Sequence, residues 1–326
     1  MARSAAEIEV NMTSSLVLST AVLTAWLAAI FFYQRPQVGK TDLQQLVYPG
    51  VLGVYILLWA SADSMAGYSS LIKHHHSFLA VVAAFLTIIW LTSLIKKDTS
   101  IMDIAYPLTA AVPVLILMWG QYRGSAHEIL LAAFVGLWSL RLSGHIAIRN
   151  LPEGEDARYS AWRKRFGKNW WWWSLFQVFV LQGILVSLWS VPLILAIDVT
   201  PTSLGFNHVI AILLFCTGFY FQAVADYQLE RFRKTRAGPH EILDHGLWAL
   251  SRHPNYFGES LIWWSFGFLG LSHDLGLIGL LAPLYVTWFM ARGSATPMQE
   301  KYLSKKKPGY DSYAARVPEF FPRLKR

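Results

Sequence analysis

SRHPNYFGESLIWWSFGFLGL, residues 251–271, joins nine positions crowded with hydrogen-bonding groups to twelve that are almost wholly apolar. The second half reads as the start of a membrane helix, and the rest of the chain repeats that signal. Hydrophobic residues make up 54% of the 326 positions and charged residues only 15%, with 15 Trp, which is too apolar for an ordinary soluble domain. A span needs about 20 mostly apolar residues. About nine candidates lie at 14–33, 46–62, 78–95, 103–119, 127–148, 174–197, 207–226, 256–272 and 275–291, predicting an all-α polytopic transmembrane bundle. The first carries no basic leader beyond Arg3 and no clean small-residue cleavage site, so it is expected to be retained. Residues 1–77 read as accessory spans and loops, and 78–326 as a core of seven helices.

Charge sets the expected orientation. The connections 34–45, 96–102, 149–173 and 227–255 and the tail 292–326 hold 24 of the 28 Lys and Arg, against three on the opposite side and Arg141 within a span. That alternation predicts a cytoplasmic C-terminus and explains the net charge of +8 without any nucleic-acid partner. The implied setting is the endoplasmic reticulum in a eukaryote or the inner membrane in a bacterium, with membrane lipids as neighbours. A single cysteine, Cys216, rules out a disulfide framework. His74-His75-His76 is not expected to bind metal, because consecutive residues do not converge on one ion. Trp170 to Trp173 read as an interfacial anchor, and Asn11-Met12-Thr13 as a weak glycosylation sequon.

Polar groups inside spans are costly and each is a functional candidate. Trp138, Arg141, His145 and Arg149 fall on one helical face by spacings of three, four and four. Gln222, Asp226 and Glu230 form a second face, with Arg233 just beyond and Arg231, Lys234 and Arg236 around it. Such a face suits an anionic ligand with hydrogen-bonding groups, although a positive-inside cluster looks the same. Arg141 has the alternative of simply tying helices together. Asp103 either marks a helix start or, with Tyr106 one turn on, supplies an acid to a carbonyl oxygen. In the opening stretch Pro254 breaks any preceding helix, Asn255 is the expected N-cap, and Glu259 sits one turn inside, where it needs a donor.

GLWALSRHPNYFGE resembles the signature of the steroid 5-alpha-reductase-like membrane proteins, in the branch carrying the reductase C-terminal domain. Similar segments follow in order: Arg141-Leu142, Asp156-Ala-Arg-Tyr159, Gln182, Pro192, Ala225-Asp226-Tyr-Gln228, Phe232, and the tail from Ser294 to Pro322. The resemblance implies a seven-helix core that binds NADPH from the cytoplasm and reduces a carbon–carbon double bond conjugated to a ketone. Asn255 and Glu259 would contact the nicotinamide half. Gln222, Asp226 and Arg233 would hold the adenine-ribose and phosphates, with Arg141 and Arg292 adding phosphate contacts. His145, Arg252, His253, Tyr256 and Glu300 complete the expected cofactor set. Gln222 stands where the steroid enzymes have asparagine, and Thr296 and Glu300 stand near their tail His and Tyr. Their Glu and Tyr ketone-binding pair corresponds most nearly to Asp103 and Trp138, so Trp138 is expected at the substrate and Tyr106 to supply the phenol.

The expected reaction is hydride delivery to the β-carbon of an enone in a steroid-like or other lipid-soluble substrate, with Asp103 and Tyr106 as catalytic donors. Two other readings stay open. Membrane methyltransferases of the isoprenylcysteine and phospholipid type share an Arg-His-Pro-x-Tyr-x-Gly element and a tail resembling Glu300 and Gly309-Tyr-Asp-Ser-Tyr313, and they use S-adenosylmethionine. A non-catalytic lipid-binding protein on the same scaffold is the third.

Overall fold

The computed structural model describes residues 69–293 and 295–323. The chain divides into two units, residues 1–72 and 73–326, and the helical bundle belongs to the second. The predicted spans 14–33 and 46–62, the sequon and most of the predicted accessory region lie outside the described residues.

The described residues are 78% helix and contain no strand. Six helical stretches among them are long and apolar enough to cross a membrane: Ser69–Lys96, Ile101–Trp119, Ala126–Asn150, Ala157–Trp189, Phe206–Thr235 and Gly276–Lys306. In chain order we label α1 (Ser69–Lys96), α2 (Ile101–Trp119), α3 (Ala126–Asn150), α4 (Ala157–Phe166), α5 (Trp170–Ser174), α6 (Leu181–Trp189), α7 (Val191–Ile197), α8 (Phe206–Thr235), α9 (Pro254–Gly270), α10 (Gly276–Gly279), α11 (Leu281–Trp288), α12 (Ala295–Lys306) and α13 (Tyr310–Arg316). This is an integral membrane protein. Lipid-facing positions stay apolar, as at Ile95, Trp119, Leu140 and Leu213.

Three predicted spans differ from simple rods, among them 275–291, which divides into α10, α11 and a π-helical segment at Phe289–Gly293. The stretch 174–197 is broken into a π-helical segment at Leu175–Val180, α6, and α7. Pro192 lies in the first turn of α7, where its missing N–H costs nothing but the previous helix must end. The motif helix α9 has 17 residues and is mostly buried among its neighbours, including Trp263, Ile262 and Phe266 at 0% exposure. It is the central post of the bundle rather than a lipid-facing strut.

The most intimate helix pair among the described residues is α8 with α9, and two glycines set their separation. A Cβ at Gly258 would lie 2.6 Å from the Gln222 nitrogen and from the Gly218 oxygen. One at Gly218 would lie 2.7 Å from the Gly258 oxygen. Small residues let membrane helices approach backbone to backbone. Here they bring Gln222 and Glu259 within bonding reach across the interface.

Hydrogen bonds gather the loops at two ends. At the motif end, the Glu155 carboxylate accepts from the Thr99 N–H (2.9 Å) and Arg163 (2.7 Å), and the Trp170 indole donates to Thr99 Oγ1. Burial pushes the Glu155 carboxyl up, but those donors outweigh it and hold it below the usual carboxylate range. Of the four consecutive tryptophans, Trp170 thus turns into the protein, while Trp171 and Trp172 are exposed. At the far end, His74 and His273 bond opposite oxygens of Asp198 at 2.8 and 3.2 Å, and His127 pairs with His208 at 2.9 Å. The first residue of the His triplet therefore serves a long-range carboxylate contact.

Candidate functional site

The site grows from Glu259. Its carboxylate is 4% exposed in the middle of the bundle and has four hydrogen-bond donors. Oε1 accepts from the Trp263 indole (2.9 Å) and the Tyr106 hydroxyl (3.3 Å), and Oε2 accepts from the Trp138 indole (3.0 Å) and from Gln222 Nε2. A carboxylate offers about four acceptor positions, so this group is saturated as an acceptor. That arrangement also orients Gln222: because Glu259 only accepts, the amide nitrogen must face it and Oε1 must face away.

One turn along α8, Asp226 collects the second polar layer. Its Oδ2 accepts from Arg141 at 2.5 Å and lies 3.7 Å from His145 Nε2, and its Oδ1 accepts from Asn255 Nδ2 at 3.1 Å. Arg141 also donates to the Gln222 carbonyl at 3.1 Å. The two helical faces read from the sequence, on α3 and α8, therefore meet each other and the motif helix. Two buried atoms in this layer have no hydrogen-bond partner among the described residues: the donor Arg141 Nη1 and the acceptor Gln222 Oε1. Buried polar groups are nearly always paired, so this donor and this acceptor are exceptions that a hydrogen-bonding ligand would satisfy.

Asn255 is not the cap expected from the sequence. Helix α9 begins at Pro254, with His253 in the N-cap position and no side-chain cap. Proline's fixed φ suits the first helical position, which moves the cap back from Asn255 to His253. Asn255 is thereby inside the first turn, where its amide is free to reach Asp226 across to α8.

The structure brings together Tyr106, Trp138, Arg141, His145, Gln222, Asp226, Asn255 and Glu259. It separates Asp103 from Tyr106. Asp103 accepts from the Tyr159 hydroxyl (2.6 Å) and from Arg158 (2.8 Å), which fastens α4 to the start of α2. Tyr106, one turn deeper, faces Glu259 instead.

Arg252, His253 and Glu300 form a different cluster that clamps the tail. Arg252 bonds Glu300 through Nε (3.0 Å) and Nη2 (2.9 Å), and its Nη1 donates to the carbonyls of Ala314 and Val317. His253 Nε2 lies 2.7 Å from Glu300, and the Tyr310 hydroxyl donates to the same carboxylate at 2.8 Å. Burial raises the Tyr310 hydroxyl, and the bond to Glu300 raises it further, so it stays a proton donor. Tyr256 stacks on His253 with ring centroids 5.4 Å apart. Arg292 is exposed and bonds Glu319 at 3.0 Å.

Residues 65–317, which carry all of these contacts except those to Glu319, match a family described as a protein of unknown function, DUF1295. The chain belongs to that family. The matched region of this DUF1295 protein takes in the Glu259 layer, the Asp226 layer and most of the tail clamp. An uncharacterized protein of Schizosaccharomyces pombe is 27% identical over 266 residues, covering 73% of this chain and 76% of the yeast protein. No solved structure matches the chain.

One further feature of the DUF1295 chain lies at the motif end, just beyond the Asp226 layer. Arg233, exposed near the end of α8, feels the charges of Arg149 and Arg236. Lys307 is lowered by burial and then by Arg236 and Arg233. Cations from three separate segments thus lie in the field of Arg233 or Arg236, with Glu230, Glu153 and Glu241 as the nearby acids. Spacing along the sequence exposes Arg233 and Arg236, but Lys307 sits in a run of three lysines with nothing to single it out. Trp263, by contrast, stands at i+4 from Glu259, a spacing that marks it as a partner even though it reads as part of the apolar run.

Proposed function

We propose that this protein is an NADPH-dependent membrane reductase acting on a conjugated enone in a steroid-like or other lipid. The observation that carries the reading is the unpartnered pair Arg141 Nη1 and Gln222 Oε1. A primary carboxamide offers an acceptor oxygen and donor nitrogen side by side, which complements that pair, and nicotinamide carries such a group. Arg149, Arg233, Arg236 and Lys307 beyond Asp226 fit the phosphates of the same dinucleotide, since cations in one another's field are relieved by an anion. The similarity of the motif and tail segments to the steroid 5-alpha-reductase-like proteins points the same way.

In this reading Arg141 and Gln222 hold the carboxamide, with Asp226, Asn255 and His145 fixing them. Arg149, Arg233, Arg236 and Lys307 take the phosphates. When bound, NADPH supplies the hydride for the substrate's β-carbon. Glu259, saturated by four donors, orients rather than protonates. Tyr106, held by the longest of those bonds, is the donor freest to turn toward a developing oxyanion, a stabilisation worth about 3–4 kcal/mol for one well-placed donor. Arg252, His253 and Glu300 support the site indirectly by holding the tail. The clustering of Lys and Arg supports a cytoplasmic side for the motif end and the C-terminus.

The test is binding in purified protein. NADPH should raise the melting temperature and be consumed with an enone lipid. Arg141→Lys should weaken NADPH more than tenfold, because one ammonium cannot serve Asp226, the Gln222 carbonyl and a ligand together. Tight binding of S-adenosylmethionine with none of NADPH would replace the reading with the methyltransferase one.

A further inference from the structure

Beyond Tyr106, away from Asp226, the interior is aromatic. Trp189, the last residue of α6, is 5% exposed and is surrounded by rings from four other elements. The Tyr106 ring meets it edge-on with centroids 6.1 Å apart, Trp263 at 5.9 Å, Phe289 at 5.5 Å and Tyr285 at 6.5 Å. Tyr106, Tyr285 and Phe289 are only half-buried. Inside this box the Trp189 indole N–H is buried and has no hydrogen-bond partner among the described residues.

The neighbouring indoles that share this core are paired: Trp138 and Trp263 both donate to Glu259. A buried N–H without an acceptor costs roughly 1–3 kcal/mol of desolvation, and an indole is a donor only, so its missing partner must be an acceptor. Glu259 is closed to it, having four donors already. Tyr106 stands beside it with a hydroxyl bond of 3.3 Å, longer than the roughly 2.5–3.0 Å that such bonds prefer, and so is easily exchanged.

We infer that Trp189 Nε1 and the Tyr106 hydroxyl together hold the carbonyl oxygen of the lipid substrate, with the surrounding rings taking its flat apolar body. The inference rests on the reductase reading for what happens to that carbonyl, though not for its binding. It makes Trp189 the specificity-determining residue, and it takes the place of the Asp103 and Tyr106 pair expected from the sequence. Asp103 is already committed to Tyr159 and Arg158. Two ring-borne donors, one from α2 and one from α6, would select a ketone or aldehyde oxygen over an apolar group of the same shape. They also place no formal charge against the substrate.

The experiment compares two probes, 4-decylcyclohex-2-enone and 4-decylcyclohexene, by titration calorimetry with the full chain in detergent. Wild type should bind the ketone more tightly than the oxygen-free probe. Trp189→Phe, which keeps a ring and loses the N–H, should weaken the ketone about fivefold to tenfold and leave the oxygen-free probe unchanged. Tyr106→Phe should do the same. Trp189→His retains a ring N–H and should keep part of the preference for the ketone, so it serves where Trp189→Phe does not fold. Equal binding of both probes by wild type, or an equal loss of both in the variants, would overturn the inference. NADPH binding separates the two claims. A chain that prefers the ketone through Trp189 but binds no NADPH would refute the reductase reading alone. One that binds NADPH and holds both probes equally would refute this inference alone.

Discussion

Replacing Gly258 by alanine tests the link between helix packing and the site. The added Cβ would sit 2.6 Å from both the Gln222 nitrogen and the Gly218 oxygen, and 3.1 Å from the Gln222 Cα. All three are backbone atoms, so no side chain can swing aside. Ordinary contact is about 3.5–4.0 Å, and α8 and α9 must therefore part by about 1 Å. Overpacking of this kind costs about 1–3 kcal/mol. The same movement pulls Gln222 from Glu259, and a hydrogen bond to a charged group is worth about 1.5–3 kcal/mol. Together these predict a loss of about 2.5–6 kcal/mol, or a fall in melting temperature of at least about 5 °C for a unit this size. Gly136→Ala in α3 is the control, since nothing lies within 4 Å of its Cβ. It should be neutral or stabilising by about 0.4–1 kcal/mol. Thermal melts in detergent, read by near-ultraviolet circular dichroism, give both numbers. If Gly258→Ala melts with wild type, the α8–α9 contact does not set the site and the reasoning fails.

Glu259→Gln turns one carboxylate oxygen into a donor facing donors, and should cost about 1–3 kcal/mol in the same melts; an unchanged melt would mean that Glu259 is not the hub described. Arg252→Lys replaces a fork that spans Glu300, Ala314 and Val317 with a single ammonium, so trypsin should cut residues 301–316 severalfold faster while the helical content holds. Equal digestion rates would place the clamp elsewhere. Glu155, held below its usual range, contributes stability fully above about pH 4.3 and loses it as pH falls through its lowered folded value. Trp170 emission, read as the difference between wild type and Trp170→Phe, should therefore shift only once acidification has passed below the usual carboxylate range, and Glu155→Gln should remove that transition.

Much of the site is written in periodicity. Spacings of three and four put Arg141 and His145 on one face and Gln222 and Asp226 on another, and the need for a donor at Glu259 follows from its depth in an apolar run. Helix-breaking is legible too, yet the exact cap is not, because Pro254 and Asn255 compete for the same boundary and only the folded helix shows which wins. Long-range partners lie beyond reach. Nothing local ties Asp103 to Tyr159, His74 to Asp198, or Lys307 to the Glu241 carbonyl, since each contact depends on which helix ends share a level. The break at Ser190 and Pro192 is hidden inside an apolar stretch that reads as one span. Arg252 and His253, the loudest residues of the opening stretch, face the tail, whereas the quieter Asn255 and Glu259 face the bundle interior.

The central claim is that the Arg141, Gln222 and Asp226 layer receives a nicotinamide dinucleotide whose phosphates lie on Arg149, Arg233, Arg236 and Lys307. The most direct measurement is an experimental density map of the purified protein with NADPH. The account predicts density running from the Arg141 and Gln222 pair to that cation cluster, with the ring face turned toward Tyr106 and Trp189. Density confined to the far end, or side chains closing over Arg141 Nη1 and Gln222 Oε1 with no ligand between them, would contradict it.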